Sequence, residues 1–374
     1  MLRHLAACLP LLLAGVALAA APQPPAVDAR AWLLIDATSG QLIASRNPKE
    51  RIEPASLTKL MTAYLAFAAL KGSSVALGQT IRVSERAWRT AGSRMFIEPR
   101  KPVTVEELLR GMIIQSGNDA CIALAEAVAG SEPAFVERMN REAGRLGMTD
   151  TNFTNSSGLP GPGHYSTASD LALLASALIR DYPEYYKLYS EREYRYNDIT
   201  QRNRNQLLWL DPNVDGVKTG HTETAGYCLI ASARRGGRRL LSVVIGTASE
   251  RLRTRESQKL LNFGFQSYDA LRLYQKGDAI GKLQVWKGRE RELKAGVVAD
   301  LYVTVPKGTA DQLQAELVSQ QPLIAPLETG QRVATLRVSH DGKPLAEYPV
   351  VALESVAVAG FFARTWDSVR LWFR

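Results

Sequence analysis

The chain has 374 residues, a length that favours more than one domain. Apolar residues make up 46% and charged residues 22%, which excludes an intrinsically disordered chain, and three cysteines exclude a disulfide-built scaffold. The formal net charge of +9 suits anionic partners such as phospholipid headgroups or acidic wall polymers, or serves solubility alone.

The N-terminal stretch MLRHLAACLPLLLAGVALAAAPQPP has one Arg, a short Leu- and Ala-rich core, and small residues at Ala17, Ala19 and Ala21. This is the layout of a secretory signal peptide over residues 1–21, too short to span a bilayer. An exported protein is expected, and nucleic acid is not an expected partner in that compartment. Cys8 leaves with the signal. Cys121 and Cys228 each lie in an apolar segment, so two separate buried thiols are expected, with one disulfide as the alternative. Four histidines without metal-ligand spacing give metal catalysis no ligand set, and no cofactor is expected.

The segment ARAWLLIDATSGQLIASRN reads as a hairpin around a Ser-Gly turn. PASLTKLMTAYLAFAALKG then predicts a helix from Leu57 to Leu70, closing at Gly72. That helix is apolar nearly all round and so buried on most faces. Ser56 alone is a fair helix cap, but Lys59 in such a setting needs a reason. From Thr104, a capping box with Glu107 opens a helix that Gly117 breaks, and a second helix starts beyond Asn118. Further helices are expected near 132–146 and 167–181. The stretch EYYKLYSEREYRYND reads as surface packing. GYCLIASA and LLSVVIG form a hairpin whose RRGGRR turn is a solvated tip, and ERLRTRESQKLLNFGFQSY is a helix. The fold class is therefore α+β over residues 27–268, an antiparallel sheet beside a helical cluster.

From about Leu271 the texture becomes short alternating runs with Gly, Pro and Asp-Gly turns, a small all-β sandwich or barrel over 271–354. The last stretch, 356–374, repeats Phe362, Trp366, Val369 and Phe373 at helical spacing, with Arg364, Asp367, Ser368 and Arg374 largely opposite. Such an amphipathic helix fits the headgroup region of a membrane; docking on its own domain is the other reading.

An isolated S-x-x-K occurs by chance roughly once or twice in a chain this long. Here Ser56 and Lys59 have company: Ser116 and Asn118 in QSGND, and Lys218, Thr219 and Gly220 in VDGVKTGHTETAGY. Three residues apart on a helix, Ser56 and Lys59 share a face, their Cβ atoms about 5–6 Å apart. A lysine acts as a base only if its pKa falls, which desolvation and a second cation, Lys218, supply. Ser116 offers a hydroxyl to pass a proton, and Asn118 an amide to hold a substrate backbone or the Lys59 head. The K-T-G strand can pair with an extended peptide, and the N–H groups of Ser56 and His221 can form an oxyanion hole.

The ordered set of these three elements is the signature of class A β-lactamases and penicillin-binding proteins. With SRMFIEP, LLRGMIIQSGNDAC, GHYSTASDLA, the β domain and the tail, nearly the whole mature chain resembles the D-alanyl-D-alanine carboxypeptidases of the low-molecular-mass penicillin-binding proteins. The resemblance implies a β-lactamase/DD-peptidase-like domain that removes the terminal D-alanine from peptidoglycan stem pentapeptides through an acyl-enzyme. It implies acylation by β-lactams, and a periplasmic location with the terminal helix on the outer face of the cytoplasmic membrane. By position it makes Ser56 the nucleophile and Lys59 the base, assisted by Ser116. Asn118, Lys218, Thr219, Gly220 and His221 become substrate-binding residues. Arg253 is the cation for the terminal carboxylate, with Arg251 and Arg255 close by in sequence. NSSGL at 155–159 departs from relatives that carry a His before the Gly. Two other functions share these motifs: a class A-like β-lactamase, which needs an acid to activate the deacylating water, and a non-catalytic penicillin-binding scaffold in wall assembly.

Overall fold

The computed structural model describes residues 22–319 and 321–373, so the leader expected over 1–21 lies outside the described residues. β1 (Ala31–Asp36) and β2 (Gln41–Arg46) form the expected hairpin. A 3-10 turn over Ala55–Thr58 then leads into α1 (Lys59–Lys71). The α-helix thus begins later than the sequence suggests, and Ser56 caps nothing: Ala55 takes a positive φ of 47°, and Leu57 N–H closes a tight turn on the Pro54 carbonyl at 3.0 Å. β3 (Thr80–Ile81), α2 (Glu85–Arg89) and β4 (Val103–Thr104) follow. α3 (Val105–Arg110) opens on the Thr104–Glu107 capping box and runs into a π-turn over Gly111–Gln115 that ends at Ser116. α4 (Asn118–Ala129), α5 (Glu132–Arg145), α6 (Ala168–Asp181) and α7 (Pro183–Tyr186) complete the helical cluster. After a hairpin of β5 (Glu193–Tyr196) and β6 (Ile199–Arg202) and the short α8 (Leu207–Leu210) come the long strands β7 (Val214–Thr222), β8 (Gly226–Arg235) and β9 (Arg238–Thr247). α9 (Glu250–Ser267) closes the domain.

The sheet has the order β2-β1-β9-β8-β7, antiparallel throughout. Alternation along its strands feeds two cores. Trp32, Leu34, Leu229 and Leu240 pack with Leu260 of α9, while Leu33, Ile230 and Val243 pack with Phe67 and Leu171 of the helical cluster.

Two expectations yield to packing. Tyr186 and Tyr189 are not surface residues: both are buried, with ring centroids 5.5 Å apart. Nor is the arginine hairpin a solvated tip. Arg234 is exposed, but Arg235 pairs with Asp211, Arg239 with Asp215, and Arg238 with the buried Asp36.

The second unit contains β10 (Tyr268–Tyr274), β11 (Ala279–Trp286), β12 (Glu292–Gly296), β13 (Leu301–Pro306), β14 (Leu313–Ser319), β15 (Leu323–Ile324), β16 (Arg332–His340) and β17 (Lys343–Ala352). β10 pairs with β13, and the others form a sheet of order β14-β16-β17-β12-β11-β15 around a core that includes Leu293, Val303, Leu336 and Val350. α10 (Phe361–Trp372) follows with its aromatic side chains exposed, while Asp367, expected on the solvated side, faces the β domain and is buried. Among the described residues no helix is long and apolar enough to cross a membrane.

The two units meet at a polar seam. Asp36 Oδ2 accepts from Arg238 Nε at 2.7 Å and from Thr304 Oγ1 at 2.9 Å, and Arg238 also donates to the carbonyls of Gly264 and Tyr268. Removing one partner of a buried pair strands the other charge. Asp36→Ala is therefore expected to lower the unfolding free energy by about 3–5 kcal/mol. Urea denaturation measures this, and an unchanged midpoint would show the seam to be dispensable.

Candidate active site

Three segments distant in sequence converge: the turn before α1, the end of the π-turn before α4, and the edge strand β7. Ser56 sits in the 3-10 turn, half-buried, and Lys59 opens α1 with 1% of its surface exposed. The Lys59 ammonium nitrogen reaches three oxygens: Ser56 Oγ at 2.9 Å, Asn118 Oδ1 at 2.7 Å and the Ser157 carbonyl at 2.5 Å. The Asn118 amide is oriented by its own donation from Nδ2 to the Ala91 carbonyl at 2.7 Å, which turns Oδ1 toward the lysine. Of the three partners only Ser56 has a hydrogen to give; the other two are pure acceptors. A neutral Lys59 can donate to Asn118 and Ser157 and turn its lone pair to the Ser56 hydroxyl. Burial holds the Lys59 pKa below the ordinary lysine range, and the charge of Arg204 pushes the same way.

Ser116 ends the π-turn in the left-handed region, at φ 69°. Its Oγ is buried without a hydrogen-bond partner among the described residues, a costly state for a hydroxyl that has no task. Gly117 follows where a Cβ would lie 2.8 Å from Asp119 Oδ1 and 3.1 Å from the Met95 nitrogen. Asp119 in turn accepts from the N–H groups of Met95, Phe96 and Ile97, and Asn118 N–H donates to the Ser93 carbonyl at 2.7 Å. The SRMFIEP segment therefore hangs on the same helix start that presents Asn118.

On β7, Lys218 is 3% exposed and donates to the Thr219 carbonyl at 3.0 Å. Burial, and then the charges of Lys59, Arg204 and Arg253, hold its pKa well below the usual lysine range. Thr219 is buried beside it. Gly220 passes so close to the serine turn that a Cβ would meet Leu57 Cγ at 3.2 Å and Ala55 Cβ at 3.3 Å. His221 is exposed and lies over Tyr227, its antiparallel partner on β8, at 4.0 Å between centroids. Glu53 accepts from Thr222 Oγ1 at 3.1 Å and from Thr224, tying the end of β7 to the serine turn. The outer backbone edge of β7 carries no further strand among the described residues.

Arg253, 2% exposed, projects from α9 beneath this strand. Nη1 donates to the Gly220 carbonyl at 3.3 Å and Nη2 to Glu250 at 3.2 Å. Arg251 and Arg255 are exposed, and Arg255 pairs with Glu256. The structure thus brings Ser56, Lys59 and Asn118 into hydrogen-bond contact, and sets Gly220 against the serine turn with Arg253 bonded to its carbonyl. Among the described residues no cluster of three His, Cys, Asp or Glu side chains is placed to hold a metal ion. Cys121 and Cys228 are free, buried thiols whose pKa values burial pushes up to about 12 and about 11.

Three contributors escape the sequence reading. Arg204 is exposed in an NRN triplet without any local signal, yet its charge reaches Lys59, Lys218 and Arg253. Ser157 meets Lys59 through its backbone carbonyl, which leaves no trace in residue type. His164 braces the serine turn from behind. Its Nδ1 accepts from Thr154 N–H at 2.9 Å, so Nε2 carries the hydrogen donated to Thr58 Oγ1 at 2.8 Å. Burial lowers its pKa to about 4, which keeps the ring neutral. Gly158, at φ +84°, completes the brace, since a Cβ there would overlap the Ala55 carbonyl at 1.8 Å.

Comparison with known proteins gives a consistent picture. Residues 18–249 match the family model described as D-alanyl-D-alanine carboxypeptidase, and residues 268–358 match that of the penicillin-binding protein 5 C-terminal domain. The chain is 44% identical over 359 residues to the D-alanyl-D-alanine carboxypeptidase DacC of Escherichia coli, covering 94% of this chain and 90% of that one. A solved structure of penicillin-binding protein 5 from Haemophilus influenzae superimposes with a TM-score of 0.86 at 39% identity, over 90% of this chain and 99% of that one. Penicillin-binding protein D2 from Listeria monocytogenes, solved in its cefotaxime-bound form, aligns with a TM-score of 0.61 at 31% identity, over 65% of this chain and 100% of that one.

Proposed function

The chain belongs to the D-alanyl-D-alanine carboxypeptidase family, and on that premise we propose that Ser56 is its acylated nucleophile and Lys59 the base that deprotonates it. The single observation that carries this is the Lys59 tripod, in which Ser56 Oγ is the one partner able to give a proton. The Ser56 oxygen attacks the carbonyl carbon of the penultimate D-alanine while its proton passes to Lys59. Ser116, its hydroxyl buried without a partner among the described residues, relays a proton to the departing D-alanine amine. Water then cleaves the ester and Ser56 regains its hydrogen. Asn118 and the edge of β7, with Thr219, Gly220 and His221, hold the peptide as an added strand. Lys218 supplies the positive field. The β-lactamase alternative needs a carboxylate at the deacylating water; among the described residues none hydrogen-bonds Ser56, Lys59 or Ser157.

Arg253 binds the substrate's terminal carboxylate in this scheme. Its guanidinium, fixed by bonds to the Gly220 carbonyl and Glu250, lies against β7, and burial strengthens a charge-assisted contact. Arg253→Ala is expected to raise KM for a D-Ala-D-Ala-ended pentapeptide by about ten- to hundredfold, with a smaller change in kcat. Release of D-alanine measures both, and an unchanged KM would move the role to another cation.

A β-lactam, a rigid mimic of the same acyl donor, would acylate Ser56 as cefotaxime occupies the Listeria relative. The exposed aromatic face of α10 supports peripheral attachment of an exported enzyme to the outer face of the cytoplasmic membrane. Deleting residues 356–374 is expected to move the protein from the membrane to the soluble fraction; unchanged fractionation would refute the anchor.

A further inference from the structure

The terminal helix is fastened to the β domain in an unusual orientation. Phe361, Phe362, Trp366 and Trp372 of α10, and Phe373 directly after it, are all exposed, Phe362 and Trp372 at 87% each. Asp367 instead points inward and is 6% exposed. Its Oδ2 accepts the backbone N–H of Lys287 at 2.7 Å, and its Oδ1 is buried without a partner among the described residues. One turn on, Leu371 is half-buried, and between them the Arg370 guanidinium lies 5.5 Å from the centroid of the Trp286 ring. The segment leading into the helix is hydrogen-bonded as well. Arg289 N–H donates to Ala357 O at 2.9 Å, Ala359 N–H donates to Lys287 O at 2.8 Å, and Gly288 bridges Val358. The helix does not hang on a free tether.

An amphipathic helix docked on its own protein ordinarily turns its apolar face inward. Here the apolar face is outward, and the inward position is a carboxylate with one oxygen unsatisfied, which stability alone would not select. A single hydrogen bond to a fixed backbone N–H sets direction: it determines the rotation of the helix about its axis. We propose that Asp367 is a latch that holds α10 as a plate on the β domain, so that a preset aromatic face meets the headgroup region of a bilayer. The proposal rests on the membrane reading above and deepens it, because the lipid surface is met by an already ordered face rather than by a tail that folds on contact. Arg364 is exposed on the same helix, a charge that matches anionic headgroups. Ordering the helix beforehand removes that cost from the binding step.

The test uses the full chain as wild type, Asp367→Ala and Asp367→Asn, the last retaining an acceptor. Without lipid, hydrogen exchange at the Lys287 amide is expected to be slow in the wild type. It should be about tenfold faster or more in Asp367→Ala, and near wild type in Asp367→Asn. Vesicles of phosphatidylglycerol and phosphatidylcholine should bind Asp367→Ala about tenfold more weakly than the other two, although every aromatic ring is retained. A Lys287 amide that exchanges freely in the wild type, or equally in all three proteins, overturns the latch. Equal vesicle affinity with altered exchange overturns the preset face. If no variant binds vesicles, the membrane reading falls, while exchange at Lys287 still decides the latch.

Discussion

Ser56→Ala is expected to abolish D-alanine release from a pentapeptide and covalent labelling by a fluorescent penicillin together. The residual rate should lie roughly 10⁴-fold or more below the wild type, because a nucleophile that acts in one unit with its base takes the function of the unit with it when removed. The loss is not a folding defect. Ser56 is half-buried in a tight turn and caps no helix, so the unfolding free energy from urea denaturation should stay within about 0.5 kcal/mol of the wild type. Intact-protein mass after exposure to penicillin gives a direct readout: one adduct on the wild type and none on Ser56→Ala. An adduct that persists would place the nucleophile elsewhere, and one that forms but turns over rapidly in the wild type, without D-alanine release, would favour β-lactamase chemistry.

The second large effect concerns pH. Lys59 accepts the serine proton only when neutral, so acylation falls on the acid side as Lys59 becomes protonated. Because burial lowers its pKa, the base form persists to lower pH than an ordinary lysine allows. Lys218 shares the same buried cleft, and two like charges there oppose each other. Lys218→Ala should therefore do two things: slow acylation by loss of its field on the developing oxyanion, and let the Lys59 pKa rise. The acid limb of the penicillin-labelling rate should move to higher pH. A rate that drops with the limb unmoved would show that Lys218 binds substrate without tuning Lys59.

The candidate site was legible because few residue types suit its proposed chemistry. Ser56 and Lys59, Ser116 and Asn118, and Lys218 through Gly220 are short strings whose order and setting coincide with a known site. Arg253 is nominated by resemblance; the burial that sets it apart from the exposed Arg251 and Arg255 comes only from the phase of α9 against β7. The long periodic helices and the Gly-Gly hairpin followed from pattern, but the start of α1 did not: Pro54 and the positive φ of Ala55 make a tighter turn than a serine cap suggests. The arginine hairpin and Tyr186 were misjudged for one reason. Each finds its partner, Asp36 or Asp215, from a distant segment that composition does not reveal. Ser157 meets Lys59 through its backbone and Arg204 through its charge, and neither contact is written in a side-chain pattern.

The threading of the main sheet has a consequence for how the chain becomes a protein. β1 lies between β2 and β9, with Ala31 opposite Ile245 and Asp36 opposite Leu240. The first strand to be synthesised thus waits for one of the last of its domain. Contacts of such long sequence separation make folding slow, since loop closure must precede the pairing that rewards it. The sheet cannot close around the site until Thr247 is available, so shortened chains that stop before β9 should expose both cores to aggregation.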